Sequence, residues 1–173
     1  MRSHVYNIYL IRLLFLYPTI SLSYVKCLST VLKQRFAGVS KLLEQLRTQK
    51  ATSETADALI THVLPCIRDH NSKIALGALE ILEQLLLAPV ADSTLRSTFK
   101  LLWTSVVERL GDSKMNVRQK AVDVAVAVSL EPDVSTVLEK LQLCMKHKNW
   151  RTREQVHTVV EWVDEECIVN NGV

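Results

Sequence analysis

His62, Cys66 and His70 stand four residues apart in succession. On one helix that spacing lines up imidazole, thiol and imidazole, a ligand set that suits zinc. A helical stripe drifts over eight residues, however. Pro65 interrupts it and His70 falls where a turn is expected, so the three groups do not converge and no metal is expected. His157 and Glu161, also four apart, read as a surface pair rather than a catalytic dyad. The chain has no GxGxxG, no P-loop, no HExxH and no GxSxG, so neither an enzyme nor a cofactor is expected. Cys27, Cys66, Cys144 and Cys167 are scattered without a CxxC and read as reduced thiols of a cytosolic protein.

What remains is binding chemistry, carried by cations in short polar connectors. "DSKMNVRQKAVDVA" begins at Asp112, "DHNSKIALGALEIL" at Asp69, "HKNWRTREQVHTVV" at His147 and "TVLKQRFAGVSKLL" at Thr30. Nine residues after each start comes a small or aliphatic residue: Val39, Ala78, Ala121 or Val156. Sixteen after it comes Leu46, Leu85, Val128 or Val163. The starts recur at about forty residues, the period of a HEAT or armadillo helix pair.

The elements that must hold these connectors follow from the apolar spacing. Before three of them run amphipathic stretches, Leu59 to Ile67, Leu95 to Leu110 and Val134 to Met145, whose apolar residues step by three and four. Asn71 and Asn149 are placed as N-caps of the following helices. Each connector is therefore an intra-repeat turn. The fold class expected is all-α, an α-solenoid of about four HEAT-type helix pairs, with Ala121, Val124, Leu82, Leu85, Leu102 and Val106 in its core. Asp69 and Asp112 open two turns, and Arg118 and Arg153 lie just inside two second helices. The shared register suggests a ladder, Asp69 with Arg118 and Asp112 with Arg153; two solvated charges each is the alternative.

Composition bounds the partners. Of 173 residues, 48% are hydrophobic and 23% charged, with 21 Lys and Arg against 18 Asp and Glu. A net charge of +3 is too mild for a dedicated nucleic-acid binder. Residues 1–25 form an atypical segment: Tyr6 to Val25 is nearly all apolar, but Arg12 and Pro18 interrupt it. It reads as a membrane or secretory segment or as a buried N-terminal helix. The repeat domain is expected over 26–167, followed by a polar tail over 168–173.

"VVERLGDSKMNVRQKA" (Val106 to Ala121), "KHKNWRTRE" (Lys146 to Glu154) and "QRFAGVSKLLEQL" (Gln34 to Leu46) together resemble the first TOG domain of the CLASP family of microtubule regulators. The resemblance covers about Val31 to Val163. It implies a paddle of HEAT repeats whose intra-repeat turns line one edge and bind tubulin and microtubules in the cytoplasm. The residues it points to are Asn71, Ser72 and Lys73 in the second turn, and Asp112, Ser113 and Lys114 in the third. In the fourth they are Lys148, Asn149, Trp150 and Arg151. The first turn, near Val31 to Gln34, lacks the tryptophan that the family pattern places there. The family domain has six repeats and four are counted here, so an incomplete array is expected. The rival readings are a general HEAT scaffold that binds another protein, cytoskeletal or other, through the concave face at Gln119, Lys120 and Asp123, a weak nucleic-acid binder using the same basic edge, and a solenoid tethered to a membrane by Tyr6 to Val25.

Overall fold

The computed structural model describes Ser23 and residues 26–48, 53–86, 92–129 and 134–171. Seven helices are found among these residues: α1 Leu32–Thr48, α2 Ser53–Ile67, α3 Ser72–Leu86, α4 Asp92–Leu110, α5 Met115–Ser129, α6 Val134–Met145 and α7 Trp150–Asn171. No strand occurs among them. The all-helical, HEAT-type fold expected from the sequence is the one found. Nearly all of Tyr6 to Val25 lies outside the described residues. No described helix is long and apolar enough to cross a membrane.

The chain forms two compact units, Met1–Val90 and Ala91–Val173. In the first, α2 pairs with α3, and α3 lies against α1. Val39, Leu42 and Leu46 of α1, Ile60, Val63 and Ile67 of α2, and Ile74, Ala78, Leu82 and Leu85 of α3 are buried. Gly77 permits the close approach of α1 and α3, because a Cβ there would lie 2.7 Å from Val39 Cγ1. In the second unit α4 pairs with α5 and α6 with α7, while α7 also lies against α4 and α5. Its core holds Leu102, Val106 and Leu110 of α4, Val117, Ala121, Val124 and Val128 of α5, Val137 and Leu141 of α6, and Val156 and Val159 of α7. Phe99 stacks on Trp103 at 5.9 Å between ring centroids. All six residues expected in the core are fully buried.

Burial decides which forces hold these pairs. Each large aliphatic side chain taken out of water contributes about 1.5–3 kcal/mol. Exposed ion pairs such as Arg47–Glu80, at 3.1 Å, contribute about 1 kcal/mol or less. The apolar stripes therefore set the helix pairing, and the polar groups set the detail of the turns.

Candidate protein-interaction turns

The same four-residue turn precedes α1, α3, α5 and α7, at residues 28–31, 68–71, 111–114 and 146–149. Its backbone bonds repeat. The second residue donates its N–H to the carbonyl three residues back: Ser29 to Lys26 at 3.2 Å, Asp69 to Cys66 at 3.2 Å, Asp112 to Arg109 at 3.1 Å and His147 to Cys144 at 3.0 Å. The fourth residue then offers its carbonyl to the helix: Val31 to Arg35, Asn71 to Ala75, Lys114 to Arg118 and Asn149 to Arg153.

Side chains close each turn in the same way. The second residue carries an acceptor for the N–H two residues on. Ser29 Oγ takes Val31 at 3.1 Å, Asp69 Oδ1 takes Asn71 at 2.8 Å, Asp112 Oδ1 takes Lys114 at 2.9 Å and His147 Nδ1 takes Asn149 at 3.1 Å. A serine, two aspartates and a histidine thus do one job. The first repeat therefore starts at Ser29, not Thr30 as the sequence alignment had it. Gln34 lies inside α1 rather than in the turn.

That shift of one residue exposes a signal the alignment missed. Six residues after the second turn position stand Arg35, Arg118 and Arg153. Each Nη1 donates to two carbonyls of its own turn. Arg35 reaches Ser29 and Thr30 at 3.2 and 2.9 Å, Arg118 reaches Asp112 and Ser113 at 2.8 and 3.2 Å, and Arg153 reaches His147 and Lys148 at 2.7 and 3.2 Å. In the second turn the equivalent residue is Ala75, and Arg35 Nε crosses from the repeat before to Asp69 Oδ2 at 2.7 Å.

One rung of the expected ladder is therefore corrected. Asp112 is held by Arg109, one turn earlier on α4, at 2.9 Å, while Arg153 belts its own turn, so Asp112–Arg153 does not form. Within the first unit Asp69 pairs with Arg35, and within the second Arg118 donates to its own turn. The rung in the first unit runs from Arg35 to the aspartate of the following repeat. Burial tends to push the Asp69 carboxyl up, but Arg35, the Asn71 N–H and His70 together hold it below the ordinary carboxylate range.

Asn71 and Asn149 cap their helices as expected. Asn71 Oδ1 accepts from Lys73 at 3.0 Å, and Asn149 Oδ1 from Arg151 at 3.1 Å. Asn149 also ties two turns together, donating from Nδ2 to the Gly111 carbonyl at 3.0 Å. The absence of a side chain at Gly111 leaves room for this contact, since a Cβ would press on Asn149 Nδ2 and Thr152 Oγ1.

The consequence for the surface is electrostatic. The carboxylates of Asp69 and Asp112 are turned inward onto arginines. Lys33 and Lys73 in the first unit, and Lys114, Lys146 and Lys148 in the second, are exposed at or beside the turns. The residue opening each following helix adds an apolar element. Leu32 is 49% exposed, Met115 73% and Trp150 55%, while the second repeat has Ser72 in this place. Val31 and Leu28 are exposed in the first turn as well. Arg151 stacks over the Trp150 ring, its guanidinium carbon 4.9 Å from the centroid. Trp150 is thus not packed into its own repeat. The sequence reading singled out Trp150 but not Met115 or Leu32, which stand at the equivalent position.

Among the candidate metal ligands, Cys66 Sγ donates to the Cys27 carbonyl and His70 is exposed in its turn; the His62 side chain lies outside those described. No cluster of three His, Cys, Asp or Glu side chains arises among the described residues. Lys120 of the concave-face reading is paired with Asp123 at 2.9 Å.

The fold and turns define a helix-pair repeat protein with cationic and apolar groups displayed at its turns. In sequence the chain is similar to a CLIP-associated protein of Arabidopsis thaliana, with 30% identity over 126 residues, 71% of this chain. The chain spans 9% of that relative's length. No protein-family model matches the chain.

Proposed function

We propose that this chain is a microtubule-associated binding module, with no catalytic role, that engages tubulin through its intra-repeat turns in the manner of a TOG domain. The observation that carries the reading is the recurrence at the turns of an exposed apolar residue beside exposed lysines, while the aspartates are neutralised from within. Similarity to a CLIP-associated protein supports it. Tubulin is acidic, so lysines at the turns steer its approach and complement its charge, and Trp150 supplies apolar contact area of the kind concentrated at binding hot spots. The binding residues in this reading are Asn71, Lys73, Lys114, Lys148, Asn149, Trp150 and Arg151. The cytoskeleton is the corresponding location.

The test is co-sedimentation with microtubules and gel filtration with free tubulin, at low and physiological salt. Lys114→Glu and the double variant Lys148→Glu/Arg151→Glu are expected to lower affinity about tenfold or more, and salt to weaken the wild type. Lys41→Glu and Lys100→Glu, exposed on helix bodies away from the turns, serve as charge-matched controls, because Lys120 is already paired. Equal losses in turn and control variants would reduce the effect to bulk charge. Full binding by the turn variants would refute the turn assignment.

A further inference from the structure

We propose that Cys27 and Cys66 are a reactive dithiol that closes to a disulfide, cross-linking the first two repeats beside their turns. The two residues lie one and two positions before equivalent turns. Cys66 Sγ donates to the Cys27 carbonyl at 3.5 Å, and Cys27 Sγ to the Ser23 carbonyl at 3.2 Å. Gly38 seats the Cys27 backbone on α1: a Cβ on it would lie 2.6 Å from the Cys27 nitrogen and 2.7 Å from the Ser23 carbonyl oxygen, so only a glycine lets this backbone close there. Both thiols are 4% exposed, and the pairing joins residues far apart in sequence.

The two sulfurs are not equivalent. The neighbouring Cys27 side chain holds the Cys66 thiol low against the effect of burial, with the Arg35 charge acting in the same direction. The Cys66 side chain, with burial, pushes the Cys27 thiol up. Local opening exposes both sulfurs; in the exchange that follows Cys66 is taken as the first to react and Cys27 as the resolving thiol. With glutathione disulfide as the oxidant, Cys66 attacks one of its sulfurs and expels a glutathione thiolate, leaving a mixed disulfide. Cys27 then gives up its proton to solvent and attacks Cys66 Sγ, expelling the second glutathione. Two protein thiols become one disulfide and one glutathione disulfide becomes two glutathiones. Because both sulfurs are buried, the first step requires local opening at the turn, and mild denaturant accelerates it.

The experiment uses the full chain, reduced and then incubated with glutathione disulfide, with remaining thiols alkylated. Intact mass and peptide mapping are expected to show a linked Cys27–Cys66 peptide and an alkylated Cys144. The oxidised protein is expected to melt about 5 °C or more above the reduced form, since closing a loop of about forty residues restricts the unfolded chain, and dithiothreitol reverses the shift. Cys66→Ser is expected to abolish the link and Cys144→Ser to leave it. Stable glutathione adducts on Cys27 or Cys66, or a link to another cysteine, would overturn the proposal. The wild-type map decides the matter even if a variant does not fold.

Discussion

Replacing Asn149 with alanine removes two different interactions from one side chain. Its Oδ1 caps α7 by accepting the Arg151 N–H at 3.1 Å, and its Nδ2 donates to the Gly111 carbonyl at 3.0 Å. Loss of an N-cap costs about 1 kcal/mol. Loss of the half-buried hydrogen bond to Gly111 costs about 1 kcal/mol more. The combined loss of about 2 kcal/mol corresponds to a melting temperature lowered by about 4–8 °C in a chain of this length. Asn149→Ser separates the two contributions, because a serine oxygen still caps the helix but does not reach Gly111 as a donor. It is expected to lose about half as much. Circular dichroism at 222 nm during thermal melting, the standard helical signal, measures both. If Asn149→Ser melts with the wild type, the tie between the two turns contributes nothing. If Asn149→Ala also melts with the wild type, the structural account of this turn is wrong.

Two further outcomes follow from the arginines. Arg118 Nε is buried without a hydrogen-bond partner among the described residues, and its counterpart Arg35 Nε meets the aspartate of the next turn. His147 holds that aspartate's place in the turn between α6 and α7. His147→Asp is therefore expected to keep the acceptor for Asn149 and supply a carboxylate to Arg118, stabilising the chain by about 1 kcal/mol in urea titration; a destabilised variant would show that the registers differ. Asp69 binds a proton less readily in the folded chain than in the unfolded one. Its stabilising contribution is thus complete above the ordinary carboxylate value and is lost as pH falls below about 4. Stability measured from pH 7 to pH 2 should decline less steeply in Asp69→Asn than in the wild type, and parallel curves would remove Asp69 from the acid response.

The helix pairs and the place of each turn were legible in the sequence because they depend on local rules. Apolar residues stepping by three and four mark a buried stripe whatever it packs against, as Leu82, Leu85, Val106 and Ala121 did. Asn71 and Asn149 could be read as caps because an N-cap reaches only two or three residues along the chain. The belt from Arg118 and Arg153 to their own turns is equally local. It was missed because a lone arginine does not reveal whether it turns back or reaches forward. The one-residue error at Thr30 has a similar origin. Ser29 and Thr30 both carry a hydroxyl, and only the bond to Val31 tells them apart. Tertiary structure alone decided the rest. Arg35 meets Asp69, Cys66 meets Cys27 and Asn149 meets Gly111 across 34 to 39 residues, distances over which partners are chosen by how neighbouring helices stack. The same packing left Leu32, Met115 and Trp150 in solvent. Sequence fixes that a residue is apolar, but whether a neighbouring helix covers it is a property of the assembled repeat.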